Sequence, residues 1–152
     1  MSPVKIKDSD PNYFKLGMKF KAYAGHNLTV GIRKGQIATY AAAHEYGTRI
    51  LKSRPFFSTA IDNNVEKYLN QLMNRHGQVL AGKLTPAASL ALLGIEVRND
   101  LIKSIQSGEW ESLSLRYAEW KRRHGKSEKP LVLHGHMQQA ISHKIGRGGD
   151  ED

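Results

Sequence analysis

The stretch YAAAHEYGTRILKSRPFFSTAID, Tyr40 to Asp62, decides how the rest of the chain is read. Tyr40, Ala43 and Tyr46 recur at helical spacing, and the alanines at 41 to 43 favour a helix while letting a neighbouring backbone come close. Gly47 stops that helix, since glycine suits the left-handed position that ends one. Thr48 to Ser53 then cross the surface as a linker carrying Arg49 and Lys52. Ser53 and Pro55 read as a cap and a first-turn proline, so a second helix starts there with Phe56 and Phe57 on its opening turn. Two aromatics at a helix start mark a docking point, against either the chain's own core or another subunit.

Upstream, Val4 and Ile6 alternate with lysines, which suits a short edge strand from Val4 to Lys7. Asp10-Pro11 starts a helix that Tyr13, Phe14 and Met18 carry to about Tyr23. Gly25 to Asn27 turn the chain, and Leu28 to Arg33 reads as a strand. Downstream, Phe57, Ile61, Val65, Tyr68, Leu69, Leu72 and Met73 predict one long amphipathic helix from Pro55 to about Leu80. Gly82 ends it, and Thr85-Pro86 opens another whose stripe of Leu90, Leu93, Val97, Leu101 and Ile105 runs to Gly108. The short loop predicts an antiparallel hairpin. Because Ala87 to Ile95 is apolar on all sides, its first half is expected to be the deeper, against a sheet or a second subunit. Trp110 to Glu128 predicts a short helix and a mobile basic loop, Pro130 to Leu133 an extended segment, Gly135 to Ile141 a short helix, and Ser142 to Ile145 a terminal strand. A single domain over residues 1 to 145 is expected, with 146 to 152 a disordered tail.

Several of these segments carry a shared pattern. Val30-Gly31-Ile32 is a short strand, Ala41 to Thr48 has the form A-x-x-x-E-[FY]-G-T, Arg54 to Asp62 has the form R-P-F-x-x-x-A-x-D, and Lys129-Pro130-Leu131-Val132 leads to Gly135, Met137, Ala140 and Ile141. Over roughly residues 28 to 145 the chain resembles the phage head-to-tail joining proteins, variously called tail-completion, neck or minor tail proteins. That family has Thr where this chain has His134, which weakens the cap expected for the last helix. The resemblance implies a structural virion protein, assembled in the bacterial cytoplasm as a homo-oligomeric ring, a hexamer, at the neck. Its partners would be a head-connector or portal-adaptor protein and a tail-tube or tail-terminator protein, with DNA passing through the channel. A tail terminator capping the tube is the alternative within the same class.

Composition is compatible with that picture. At 152 residues and 39% hydrophobic, the chain suits one domain with a real core. Without cysteine there is neither a disulfide framework nor a thiolate zinc site. No apolar run is long enough to span a bilayer, and MSPVKIKDSD has no signal-peptide apolar stretch, so a soluble protein without membrane contact is expected. The net charge of +9 is concentrated in residues 1 to 53 and 110 to 149, flanking a nearly neutral middle. Such a balance favours acidic partners, protein or nucleic acid.

Chemistry finds little support. His44-Glu45 starts an H-E-x-x-H pattern, but residue 48 is Thr, so the second zinc ligand is missing. His124, His134, His136 and His143 lack a neighbouring carboxylate that would argue for a metal site. Walker and dinucleotide-binding glycine motifs and the G-x-S-x-G nucleophile elbow are absent, and no enzyme, cofactor or metal is expected. Lys121, Arg122, Arg123, Lys126 and Lys129 beside Trp120 form a candidate basic docking loop, and with them a sequence-nonspecific nucleic-acid module is the alternative from another class. Tyr46, Arg49, Lys52, Arg54, Pro55, Phe56 and Phe57 form the candidate subunit or partner interface, with Phe56 beside Arg54 as its anchor. The expected fold is α+β: a small, mainly antiparallel sheet of Leu28 to Arg33, Pro130 to Leu133 and Ser142 to Ile145, with Val4 to Lys7, packed against two long helices.

Overall fold

The structure, a computed structural model, describes residues 25–32, 35–107, 110, 112–127, 129–131 and 135–147. In chain order the elements are β1 (His26–Gly31), α1 (Gln36–Tyr46), α2 (Phe56–Asp62), α3 (Val65–Leu80), α4 (Pro86–Ser107), α5 (Leu115–Arg123), α6 (His136–Ala140) and β2 (Ser142–Arg147). The fold is α+β, with one two-stranded antiparallel sheet among the described residues.

Helix α4 is the axis. Thr85 caps it, accepting from the Ala88 N–H at 3.2 Å, and Pro86 occupies its first turn. The two strands pair from His26↔Arg147 to Gly31↔Ser142 and lie across it. Gly94 is the crossing point: a Cβ there would sit 2.9 Å from both Leu28 Cδ1 and His143 Cδ2, so the missing side chain lets these two side chains of the sheet pack against the helix. Val97, Leu101 and Ile105 follow on the same helix and join Ala41, Phe56, Ala60, Tyr68 and Ile141 in the core. Leu101 and Ile105 are fully buried, whereas Leu92 and Ile95 are exposed. Burial is therefore deepest in the second half of α4, opposite to the expectation from its apolar first half.

Three further differences have local causes. The long helix expected from Pro55 to Leu80 is two helices, because Asn63 and Asn64 interrupt it and the Asn64 amide donates to the Ala60 carbonyl at 2.8 Å. The strand expected at Pro130 to Leu133 is not a strand where it is described: Pro130 and Leu131 turn, and Leu131 has φ 64°, which a strand does not allow. Strand β2 continues through Gly146 and Arg147, which the sequence reading assigned to the tail. The expected strand at Val4 to Lys7, the expected helix from Asp10 to Tyr23 and the chain beyond Arg147 lie outside the described residues.

Helices α3 and α4 are antiparallel, since Lys67 pairs with Asp100 and Arg75 with Glu96, partners running in opposite directions. Asp100 is buried at this seam and also accepts from the Tyr68 hydroxyl at 3.0 Å, with Lys103 3.5 Å away. Burial alone would raise its pKa. The hydrogen bonds from Lys67 and Tyr68 and the charges of Lys67 and Lys103 outweigh it and hold the carboxyl below the usual range. Tyr68 is pushed the other way, by burial first and then by the bond to Asp100.

Candidate functional site

The two halves of the deciding stretch meet through one side chain. Glu45, on the last turn of α1, is buried, and its carboxylate accepts from the Phe57 N–H and the Ser58 N–H at 2.9 Å each, and from the Ser58 hydroxyl. These are first-turn donors of α2, which the helix itself leaves without partners. A carboxylate there is favoured by both the hydrogen bonds and the helix dipole. The returning chain closes the clamp from the other side. Arg54 N–H donates to the His44 carbonyl at 2.6 Å, and Ser53 Oγ to the Glu45 carbonyl at 2.7 Å. Ser53 thus ends α1 and does not cap α2, as its position in the sequence had suggested. Pro55, at φ −75° and ψ 64°, forms an inverse γ-turn in which Phe56 N–H donates to the Arg54 carbonyl at 2.7 Å.

Gly47 makes the excursion between the halves possible. Its φ of 75° with ψ 171° is extended on the positive side, not the left-handed helical cap expected. An added Cβ would also lie 3.0 Å from the Ser53 nitrogen and 3.1 Å from the Leu51 carbonyl oxygen. Thr48 then folds the loop, with its N–H donating to the Leu51 carbonyl at 2.8 Å and its Oγ1 accepting from the Leu51 N–H at 3.0 Å. The result is a projecting turn with Tyr46 82% exposed and Ile50 96% exposed, flanked by exposed Arg49 and Lys52.

The candidate interface residues accordingly separate into two groups. Tyr46, Arg49, Lys52 and Pro55 are on the surface. Phe56 and Arg54 are only 3% and 6% exposed, and Phe57 is half-buried against the core. Phe56 anchors α2 to α4, where the Ser104 hydroxyl donates to its carbonyl at 2.8 Å. It is a core residue of the chain, not the exposed anchor that its position after Arg54-Pro55 predicted. Ile50, expected within a linker, takes its place as the most exposed large apolar side chain among the described residues. A second open apolar stripe, Val65, Leu69 and Met73, runs along α3.

The basic loop is also rearranged. Lys121, Arg122 and Arg123 belong to α5, and Lys121 is only 2% exposed. Its ammonium donates to the Lys129 carbonyl at 2.8 Å and lies 5.9 Å from the Tyr117 ring, while burial lowers its pKa. The Lys129 ammonium reaches back to the Gln106 carbonyl at 2.7 Å, near the C-terminus of α4. Gly125, at φ 63°, closes α5: Lys126 N–H bonds the Lys121 carbonyl at 2.9 Å and Gly125 N–H the Arg122 carbonyl at 3.1 Å. Lys121 and Lys129 are therefore bracing cations. Arg122 and Arg123 remain exposed, with Arg123 paired to Glu119.

His44 is half-buried, and its Nδ1 is buried without a hydrogen-bond partner. Burial, and then the nearby Arg54 charge, lower its pKa, which keeps the ring neutral at pH 7. It lines an apolar cavity of about 570 Å³ with Ile37, Tyr40, Tyr117, Leu131 and Met137. Glu45, both of whose oxygens are bonded to α2, is in no position to act on a water beside His44. Among the described residues no three His, Asp or Glu side chains are grouped as metal ligands, and no helix is long and apolar enough to cross a membrane. The chain matches no family model, no curated protein and no solved structure.

Proposed function

We propose that the protein is a structural subunit of a ring at the phage neck, where it completes the tail end and joins it to the head connector. The observation that carries this reading is the Glu45 clamp. It fastens the E-[FY]-G-T end of α1 to the R-P-F start of α2 and thereby thrusts Tyr46, Arg49, Ile50 and Lys52 out of the protomer on a braced turn. The Glu45 carboxylate of the stretch is thus consumed in holding a loop. Two separate open apolar surfaces, that turn and the Val65, Leu69 and Met73 stripe of α3, suit a head-to-tail contact, which closes into a ring when the rotation allows. Six copies is the order the resemblance implies. In this reading the partners are further copies, a head-connector or portal-adaptor protein and a tail-tube or tail-terminator protein, and the site of action is the virion.

Electron microscopy and light scattering of the purified protein test the proposal. Rings of fixed symmetry, lost in Ile50→Asp or Leu69→Asp while the helical circular dichroism is retained, are expected. A monomer at every concentration, together with no ring of this protein at the neck of intact virions, would refute it. Pull-downs separate the neck role from a terminator: a terminator binds the last tail-tube ring without any head component, and a neck subunit also binds the connector.

A further inference from the structure

Helix α5 carries an aromatic ladder that neither the fold nor the ring reading requires. Tyr117 and Trp120 are stacked with ring centroids 5.7 Å apart and planes within 7°, and Trp120 stacks on His124 at 4.4 Å and 28°. The spacing of three and then four residues places all three rings on one side of the helix. Tyr117 and Trp120 remain 41% and 44% exposed, and His124 is exposed as well. A notch of about 340 Å³ opens at the start of the ladder between Ser114, Arg116, Tyr117 and Trp120, a volume at the low end of small-molecule sites.

The charge around the ladder has one sign. Between Leu115 and Lys126 the chain has Arg116, Lys121, Arg122, Arg123 and Lys126 against Glu119 alone, and Glu119 is paired with Arg123. Arg116 is exposed and lines the notch beside Tyr117 and Trp120. Parallel stacked aromatics offer the free end of their stack to any base, while an arginine attracts the phosphates without reading sequence. A duplex hides its bases in the stack and offers the ladder nothing to extend.

We propose that this face of α5 binds single-stranded nucleic acid, with unpaired bases stacking on the Tyr117 and Trp120 ladder and phosphates held by Arg116. The inference is independent of the neck reading, because it needs only one folded protomer.

The test uses the full chain and two DNA probes: a thymidine tract, and a hairpin duplex of the same number of phosphates. The thymidine tract is expected to quench tryptophan fluorescence and to bind more tightly than the duplex. Trp120→Ala should weaken it about 5- to 150-fold, the loss of one stacked base, with Trp120→Phe restoring most of the affinity. Arg116→Ala should instead lower the salt slope by about 1, leaving the preference for single strands. Trp110, the other tryptophan, is expected to show no quenching in Trp120→Ala. The proposal is overturned if neither probe binds, if the duplex binds as tightly as the single strand, or if Trp120→Ala binds like the wild type. The last two outcomes would make any affinity a matter of bulk charge.

Discussion

Replacing Glu45 with alanine removes a carboxylate that holds two backbone donors of α2 and the Ser58 hydroxyl, at a site buried between α1 and α2. A lost N-terminal cap alone costs about 0.5 to 2 kcal/mol. Two charge-assisted hydrogen bonds, at about 1.5 to 3 kcal/mol each, set the upper bound. The orphaned Ser58 N–H lies on an exposed residue that water can reach, whereas Phe57 is half-buried, so one donor is rehydrated and the other is not. The expected loss is therefore about 3 kcal/mol, near the middle of that range. For a chain of this length that lowers Tm by about 6 to 12 °C. Urea unfolding followed by circular dichroism should show a lower midpoint at unchanged slope. Glu45→Gln keeps one acceptor oxygen but turns an amide donor toward the other N–H, so it should recover less than half of the loss. A loss below about 0.5 kcal/mol in Glu45→Ala, the size of an ordinary surface substitution, would refute the clamp.

Other variants read other parts of the molecule. Phe56→Ala should cost about 3 to 5 kcal/mol as a core cavity, whereas Ile50→Ser, on a residue 96% exposed, should leave the unfolding midpoint within about 0.5 kcal/mol; equal effects of the two would contradict the placement of both side chains. Asp100 is held below its usual pKa, so its contribution is present above the unfolded carboxyl value near 4 and is lost as pH falls through the lower folded value. Melting curves at pH 5 and pH 3 should therefore separate more in the wild type than in Asp100→Asn. His44, also depressed, works higher on the scale: its contribution is present above about 6.5 and lost toward acid, so His44→Leu should flatten the stability profile between pH 7.5 and 5.5. Lys121→Met should lower stability by about 1 kcal/mol through the lost bond to the Lys129 carbonyl, while changing DNA affinity less than Arg116→Ala does.

Much of the element order was legible because it rests on neighbours in sequence. Thr85-Pro86 starts α4, Gly82 follows the end of α3, and Leu28 and Ser142 fall in the paired strands, since caps, glycines and alternation act within a few residues. The break at Asn63-Asn64 had a local signal too, two residues whose side chains compete with the helix for backbone groups, but the apolar stripe running through it argued the other way. The ladder of Tyr117, Trp120 and His124 also lay at readable spacing, but the stretch was expected to be a short helix followed by a mobile basic loop.

What the sequence by itself determined is the start of α4, the paired strands around Leu28 and Ser142, and that Tyr40 to Asp62 would be two helices joined by a loop. Only the tertiary structure decided that Glu45 bonds residues 12 and 13 positions away, that Phe56 faces inward while Ile50 faces out, and that Lys121 is buried beneath a loop it was expected to project from. Periodicity names the residues that share a face of a helix. Which face is covered depends on which distant segment packs there, and for α1 and α2 the returning chain at Ser53 and Arg54 makes that choice, closing on the carbonyls of His44 and Glu45 and leaving the turn between them outside.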